Sequence, residues 1–417
     1  MSVAFWTTIV NYAAWYIFVF IAVTWLIVLF INRDEFSRVK RKRIVRFPSI
    51  SVLIPAYNEG KNIKRIVKSV LRLNYPKELM EVIVINDAST DRTGEIAEGM
   101  EGVKVINNAK NRGKAYSLNR ALKVSKGELV ACVDADSVVE RNILMKMVGH
   151  FEDQNVASVT PALKVLRPKN FIERIQSAEY LLNIFLRKSL EMIDSIHVTP
   201  GVFSVYRKNV LKDVGGFDEN NLTEDMEIAL RIHEAGYKIE NCLDAFSYTI
   251  CPPSLRSLFK QRLRWYRGAL QNTVKYKHMI FNHKYGNLGM FLLPFNFISI
   301  FAVITIFLIL IWNVLDSVRT FIWQLYLIDW NVLVFLKNFE INWEVFFLNT
   351  FNTPFVFMLM GLILGGYLLM KSFHVTREKF SFNKLGYFTY LIVYPIIMMS
   401  FWLTAMAFEI LRIERKW

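Results

Sequence analysis

Hydrophobic and polar positions follow two regimes along this chain. Between about residues 48 and 250, short apolar runs end in polar clusters and are separated by stretches of helical period. Outside that region, apolar positions continue almost without charge for the roughly 20 residues that a membrane-spanning helix needs. The runs Ile50–Ile54, Glu81–Ile85, Val103–Ile106 and Leu129–Val133 have the length of buried strands. Helical patterns between them predict βαβ units and a largely parallel sheet. Ligands of such sheets lie beyond the carboxyl ends of the strands. Each end here carries polar residues: Pro55-Ala-Tyr57-Asn-Glu59, Asn86-Asp87-Ala-Ser-Thr-Asp91, Asn111-Arg-Gly-Lys114, and Asp134-Ala-Asp136. A single cluster of this kind is ordinary turn chemistry. Four on one sheet edge mark a site.

Further along, residues 170–193 have the period of an amphipathic helix, with Ile172, Ile175, Leu181, Leu182, Phe185 and Leu186 available for packing. His197-Val-Thr-Pro-Gly201 is a sharp break, and Gly201 lets backbone approach a ligand closely. Asn221-Leu-Thr-Glu-Asp225 opens a helix with Thr223 as N-cap and Gly236 as its stop. After Pro252-Pro253, a helix from Ser254 to about Phe281 carries Arg256, Lys260, Arg262, Arg264, Arg267, Lys275 and Lys277 but no acid, which suits a cytoplasmic membrane surface. Gln261, Arg264 and Trp265 share one of its faces.

The long apolar stretches read as spans: Val3–Ile31, then about Leu288–Trp312, Val345–Met370 and Gly386–Leu411. A signal peptide is the competing reading of the first. That segment lacks a basic start and a small-residue cleavage site. Residues 316–344 read as an external loop with interfacial segments. The basic flank 32–46 and the basic loop 371–384 belong on the cytoplasmic side. The chain thus divides into an anchor (1–32), an α/β domain (33–250) that carries the four polar clusters, interface helices (251–284) and a carboxyl-terminal region of about three spans (285–417).

Composition agrees with this division. The 417 residues are 53% hydrophobic, with a mean hydropathy of +0.27, more apolar than an ordinary soluble protein. The net charge of +15 crowds beside apolar segments, where anionic lipid accounts for it. No aromatic-and-basic reading module accompanies it, so nucleic acid is not an expected partner. Cys132, Cys242 and Cys251 have no metal-ligand or secreted-framework spacing, which fits a reducing compartment. The expected location is the cell membrane, multi-pass, with the catalytic domain cytoplasmic.

Asp134 and Asp136, two apart on an extended chain, face the same way and can converge on Mg2+ or Mn2+ bound to a nucleotide diphosphate. Glu224 and Asp225, at a helix start, either complement the helix dipole or are catalytic, with Asp225 as general base.

Asp134-Ala-Asp136, Thr223-Glu-Asp225 and Gln261-Arg-Leu-Arg-Trp265 resemble the D-x-D, T-E-D and Q-x-x-R-W signatures of processive membrane-embedded family 2 glycosyltransferases. That family includes the synthases of cellulose, chitin, hyaluronan and poly-N-acetylglucosamine. The resemblance covers about residues 48 to 280. It implies a GT-A-type, Rossmann-like cytosolic domain attached to an α-helical transmembrane region. It places Asp87 on the uracil, Tyr57 and Glu59 along the nucleoside pocket, and Lys114 near the diphosphate. Asp134 would contact the nucleotide or assist the cation, and Asp136 would ligate it. Asp225 corresponds to the base, Gln261 and Arg264 to the pyrophosphate holders, and Trp265 to the platform under the acceptor sugar.

The implied reaction is inverting polymerisation of a UDP-sugar, with UDP-N-acetylglucosamine the best guess, onto a β-linked polysaccharide exported across the membrane. Accessory export subunits are possible partners. The alternative is a single transfer to a lipid acceptor. The chain departs from the family's pattern at Asn86-Asp87-Ala88, where an acidic pair and a glycine are usual, and at Thr199-Pro-Gly-Val-Phe-Ser204.

Overall fold

The computed structural model describes residues 42–337, 353–376 and 384–413 continuously, together with scattered positions elsewhere. The expected anchor Val3–Ile31 and most of its basic flank lie largely outside the described residues. The strands are β1 (Ile50–Ala56), β2 (Met80–Asn86), β3 (Lys104–Asn107), β4 (Leu129–Val133), β5 (Val138–Val139), β6 (Val156–Val165), β7 (Val202–Arg207) and β8 (Lys238–Thr249). Around the sheet the helices are α1 (Ile63–Leu71), α2 (Thr93–Glu98), α3 (Lys114–Val124), α4 (Ile143–Met147), α5 (Phe171–Met192), α6 (Lys208–Asp213), α7 (Glu224–Glu234) and α8 (Leu255–Lys275). Beyond it come α9 (Leu293–Leu327), α10 (Val332–Lys337), α11 (Thr353–Thr376), α12 (Lys384–Ile392) and α13 (Tyr394–Ile410).

The eight strands form one sheet in the order β3-β2-β1-β4-β7-β6-β8-β5. The first four match the apolar runs of the sequence to within two residues at either end. β1 pairs parallel with β2 and β4, and β2 with β3. β7 then runs antiparallel to β4 and β6, while β6 and β8 are parallel. Because β7 is reversed, its start lies at the carboxyl end of β4, and the Asp134 N–H donates to the Gly201 carbonyl at 3.0 Å.

Both sheet faces are covered, which is why β1 reads as unbroken apolar sequence rather than alternating. Ile50, Val52 and Ile54 pack with Ile63, Ile66 and Val70 of α1 on one face. Leu53, Ile83 and Ile85 pack with Leu118 of α3 and Ile228 of α7 on the other.

Asn170 caps α5 by accepting from the Glu173 N–H at 2.9 Å, as expected for a helix starting there. Ser254 and Ser257 form a reciprocal cap on α8. That helix ends at Lys275 instead of Phe281, and short 3-10 turns follow. Thr223 occupies the first position before α7 but its hydroxyl does not cap the helix. It accepts instead from Asn272 Nδ2 of α8 at 3.0 Å. Across this contact, a Cβ on Gly268 would lie 2.9 Å from the Thr223 Cβ, so α8 seats on the α7 start only because Gly268 has no side chain.

Two described helices are long and apolar enough to cross a membrane, Leu288–Leu327 and Leu359–Thr376. The pair Leu385–Ile392 and Tyr394–Ile410, bent by 46°, is a third if it counts as one span. Part of the segment expected as an external loop with interfacial segments, residues 316–344, is helical: α9 continues without a break to Leu327. The last expected span is also not free-standing. Its second half, α13, lies along α8: Tyr266 stacks on Trp402 with centroids 4.1 Å apart, Phe259 meets Phe401 edge-on, and Arg267 pairs with Glu409. Leu181 and Ile184 of α5 pack against Leu369 and Phe373 of α11 and Tyr387 of α12. Each fully buried Leu or Phe there contributes about 1.5–3 kcal/mol.

Candidate active site

At the carboxyl edge of β1, β2 and β4, the polar clusters interlock. Asn58, held at φ 55, donates its backbone N–H to Ser89 Oγ at 3.0 Å and accepts from the Thr90 N–H at 2.8 Å. The Gly60 N–H donates to Asp91 at 2.9 Å, and the Glu59 N–H to Thr93 Oγ1 at 2.8 Å. The Tyr57 side chain stands exposed at the mouth. Glu59 accepts from Asn62 at 2.7 Å, which steadies its carboxylate.

Asp87 is buried and acts on the neighbouring loop. Its oxygens accept from the Gly113 N–H at 2.7 Å, the Arg112 N–H at 3.2 Å and Asn108 Nδ2 at 2.7 Å. A carboxylate has about four acceptor positions, and with the Arg112 N–H shared between both oxygens each of them is engaged twice. Its pull on Arg112 and Gly113, the latter at φ 91, turns the chain so that Lys114 begins α3 facing the site.

Lys114 is the hub. Its Nζ lies 2.6 Å from Asp134 Oδ1 and 2.8 Å from Glu224 Oε1. Burial lowers its proton affinity, but Asp134, Glu224 and Asp225 outweigh burial and hold it well above the ordinary lysine value. Gly201 roofs this pair. A Cβ there would come within 2.8 Å of Asp134 Oδ1 and closer still to the Lys114 ammonium. Glycine is thus required for proximity and not for φ.

Among the described residues no cation pairs with the Asp136 carboxylate, whereas Lys114 pairs with Asp134. Ser137 Oγ donates to Asp136 at 3.3 Å. Burial, then the charges of Asp134 and Glu59, push its carboxyl up to about 7. Such a carboxylate gains from a divalent cation, which offsets the repulsion that raises it. Among the described residues no three His, Cys, Asp or Glu side chains cluster to hold a metal. Magnesium-type sites use one or two carboxylates completed by substrate phosphates and water, and Asp134 with Asp136 fit that demand.

Opposite stands the α7 start. The Thr199 N–H and hydroxyl donate to the Asp225 carbonyl at 3.1 and 2.9 Å, and Tyr206 in turn donates to Thr199 Oγ1 at 2.9 Å. Burial and then Glu224 push the Asp225 carboxyl up to about 6. Burial acts the same way on Glu224, but Lys114 and Arg264 overcome it and hold that carboxyl below its usual range. Two adjacent acids thus have proton affinities driven apart, the pattern of an acid–base site. From α8, Arg264 Nη1 donates to the Leu222 carbonyl at 3.0 Å, which brings its guanidinium beside Glu224 and Asp225. The other two α8 residues are engaged more than expected: Gln261 Oε1 accepts from Arg262 at 2.7 Å, and the Arg262 guanidinium covers one face of Trp265 at 4.1 Å. Stacking on that indole is thus confined to its other face.

Sequence reading missed three contributors. Arg187 lies toward Asp225 from α5; burial pulls its guanidinium down to about 10 against the opposing field of Asp225. Its signal was an arginine at i+7 and i+3 from the buried Tyr180 and Ile184. His197, within the field of Arg187, has a buried Nδ1 without a hydrogen-bond partner among the described residues, and burial pulls its imidazole down to about 4. Asn108 joins Asp87 to Ser117 of α3, a link between a loop and a helix that no local pattern announces.

Residues 51–215 match the family described as Glycosyl transferase family 2. The chain is 30% identical over 262 residues to the poly-beta-1,6-N-acetyl-D-glucosamine synthase of Staphylococcus epidermidis strain RP62A, covering 60% of this chain and 63% of that protein. The enzyme of the same name from Staphylococcus aureus strain COL is 30% identical over 263 residues, with the same coverage. The chain thus spans somewhat under two thirds of the length of these relatives. Among solved structures, the mannosyltransferase PcManGT from Pyrobaculum calidifontis, in complex with GDP-Man and Mn2+, superposes with a TM-score of 0.58 at 19% identity, covering 90% of this chain and 97% of that one. The fold is therefore GT-A-like, with a curled, mostly parallel sheet and a helical carboxyl-terminal region.

Proposed function

We propose that this chain, whose residues 51–215 match the family 2 glycosyltransferases, is a membrane-embedded synthase. It would transfer a sugar, N-acetylglucosamine as the best assignment, from UDP to a growing β-linked polysaccharide that it also exports. The observation that carries this reading is the chain of contacts Asp134–Lys114–Glu224 with Asp225 beside it at one sheet edge. Similarity to the staphylococcal synthases supports the sugar and the polymeric product. The apolar carboxyl-terminal helices support a multi-pass arrangement, and the basic segments 32–46 and 371–384 support a cytoplasmic side for the catalytic domain.

Tyr57, Glu59 and Asp87 would line the nucleoside pocket. Asp136, with Asp134, would hold Mg2+ or Mn2+, and when bound the ion supplies a counter-charge to the diphosphate. The Pyrobaculum enzyme's complex with Mn2+ supports a divalent ion here. Asp225 takes the proton of the acceptor hydroxyl as that oxygen bonds to the anomeric carbon. The bond from that carbon to the diphosphate oxygen breaks, and UDP departs with the electron pair. Lys114 and Arg264 meet the charge where it develops, with Gln261 beside them. The face of Trp265 away from Arg262 would carry the acceptor sugar.

Gly201→Ala is expected to move Lys114 off Asp134 and to slow turnover about tenfold, within what a small misplacement of a positioning group costs. Steady-state kinetics beside a thermal melt check it: unchanged turnover would mean that Lys114 does not need its present seat.

The deciding experiment incubates the purified protein in lipid nanodiscs with labelled UDP-sugars and Mg2+ or Mn2+, then sizes the products and treats them with linkage-specific hydrolases. A polymer ladder from UDP-N-acetylglucosamine is expected. A single organic-extractable glycolipid would replace the synthase reading with a lipid transferase.

A further inference from the structure

Against α1 lies a cavity of about 610 Å³, walled by α1, Val138 of β5, the segment after β6, and Ile250 and Cys251. Its polar lining is almost entirely cationic. Arg65, Lys68 and Arg72 reach it from α1, at spacings that put them on one helix face. Arg167 and Lys169 reach it from the opposite wall. The one acid of the lining, Glu173, is turned back onto the Lys169 N–H and Asn170 Nδ2. Among the described residues none of the five cations has an ion-pair partner. A solvated basic surface is normally interspersed with acids. A concave one with five unneutralised cations is built for an anion.

Its position argues for which anion. Lys164, just before the cavity wall, donates to the Thr376 carbonyl at 3.4 Å and pairs with Glu378 at 2.7 Å, so this wall adjoins the domain-facing end of the apolar helix α11. Around the same rim Phe171, Ile250 and Leu255 are 43%, 39% and 48% exposed, large apolar side chains beside cations, the mixture that sits at a bilayer interface. One member of the cavity also touches the site: Arg65 Nη2 donates to the Asp136 carbonyl at 3.3 Å and to Asn62 Oδ1 at 3.0 Å.

We propose that this cavity binds the phosphate of an anionic phospholipid headgroup, and that Arg65 transmits its occupancy to the Asp134-Ala-Asp136 loop. A headgroup phosphate draws the Arg65 guanidinium toward Lys68 and Arg72 and loosens its hold on the Asp136 carbonyl. Binding rests on the membrane placement of α11 and does not depend on which sugar is transferred.

The test reads binding directly. The full-length protein in detergent is titrated with phosphatidylglycerol or phosphatidylcholine, and retained lipid is counted by native mass spectrometry. Wild type is expected to prefer phosphatidylglycerol, and Lys68→Glu/Arg72→Glu to lose about 30-fold in that affinity through two basic contacts. A charge-matched control, Lys123→Glu/Lys212→Glu, retains it. Equal retention by wild type and Lys68→Glu/Arg72→Glu overturns the site. Displacement of the lipid by equimolar inorganic pyrophosphate would assign the cavity to a soluble phosphate compound and overturn the lipid assignment. For transmission, hydrogen exchange at residues 134–138 should change on adding phosphatidylglycerol to wild type but not to Arg65→Gln. An unresponsive loop in wild type overturns that part.

Discussion

Asp225→Asn is expected to lower sugar transfer by about 10²- to 10⁴-fold, the range that a positioned general base contributes, with UDP-sugar binding retained. Asparagine keeps the volume and can still accept from the Met226 N–H, which Asp225 Oδ1 does at 2.9 Å. What is lost is the proton acceptor. Because burial and Glu224 raise that carboxyl to about 6, the wild-type rate should also fall about tenfold per pH unit below that value, as the base fills with its own proton. Above it the base is free and the limb is flat. Single-turnover rates against pH, with donor affinity measured separately by calorimetry, decide the assignment. A variant within a few-fold of wild type, or an acid limb unchanged by the substitution, would move the base elsewhere.

Asp136→Asn is expected to remove metal-dependent turnover and yet leave a protein at least as stable as wild type at neutral pH. The sign follows from the direction of the shift. A carboxyl raised from 3.8 to about 7 binds its proton more tightly when folded, so it costs stability as pH rises through that window, and a neutral amide removes the cost. Adding Mn2+ with UDP should raise the melting temperature of wild type, since a ligand bound by the folded state stabilises it. It should not raise that of Asp136→Asn. An equal metal-induced shift in both proteins would show that the cation is held without Asp136.

How much of this was readable in advance differs from element to element. β1 to β4 announce themselves because strands covered on both faces are continuous apolar runs, and their polar ends carry the site. β6 and β8 do not. Pro161 interrupts β6 where the β6–β8 register shifts, the irregular place in a sheet that tolerates a proline, and Asn241 and Asp244 break the apolar rhythm of β8. The antiparallel β7 depends on which strand it meets, which no local period encodes. The same division holds in the site. Asp134, Asp136, Glu224 and Asp225 stand out because acids near apolar runs need a reason. The role of Asp87 as the clamp on Arg112 and Gly113, the seat of Thr223 against Gly268, and the approach of Arg187 are products of tertiary packing. Periodicity treated α5 as an apolar stripe and passed over the charges that its other face delivers.

One of those charges has a wider consequence. Glu179 of α5 accepts from Arg262 of α8 at 2.6 Å and from the Tyr394 hydroxyl of α13 at 2.7 Å. Arg262 is nearly inaccessible, and Tyr394 closes its surroundings together with Leu258, Ile175 and Phe401. A shortened protein ending before residue 384 would keep its strands and its acids but expose this guanidinium and the apolar wall around it. The half that carries the candidate site is therefore expected to lose stability when grafted onto an unrelated anchor. Its descent has to run with that of its last helix, and a compensating pair of changes at residues 179, 262 or 394 is where lineages of such proteins should be seen to drift together.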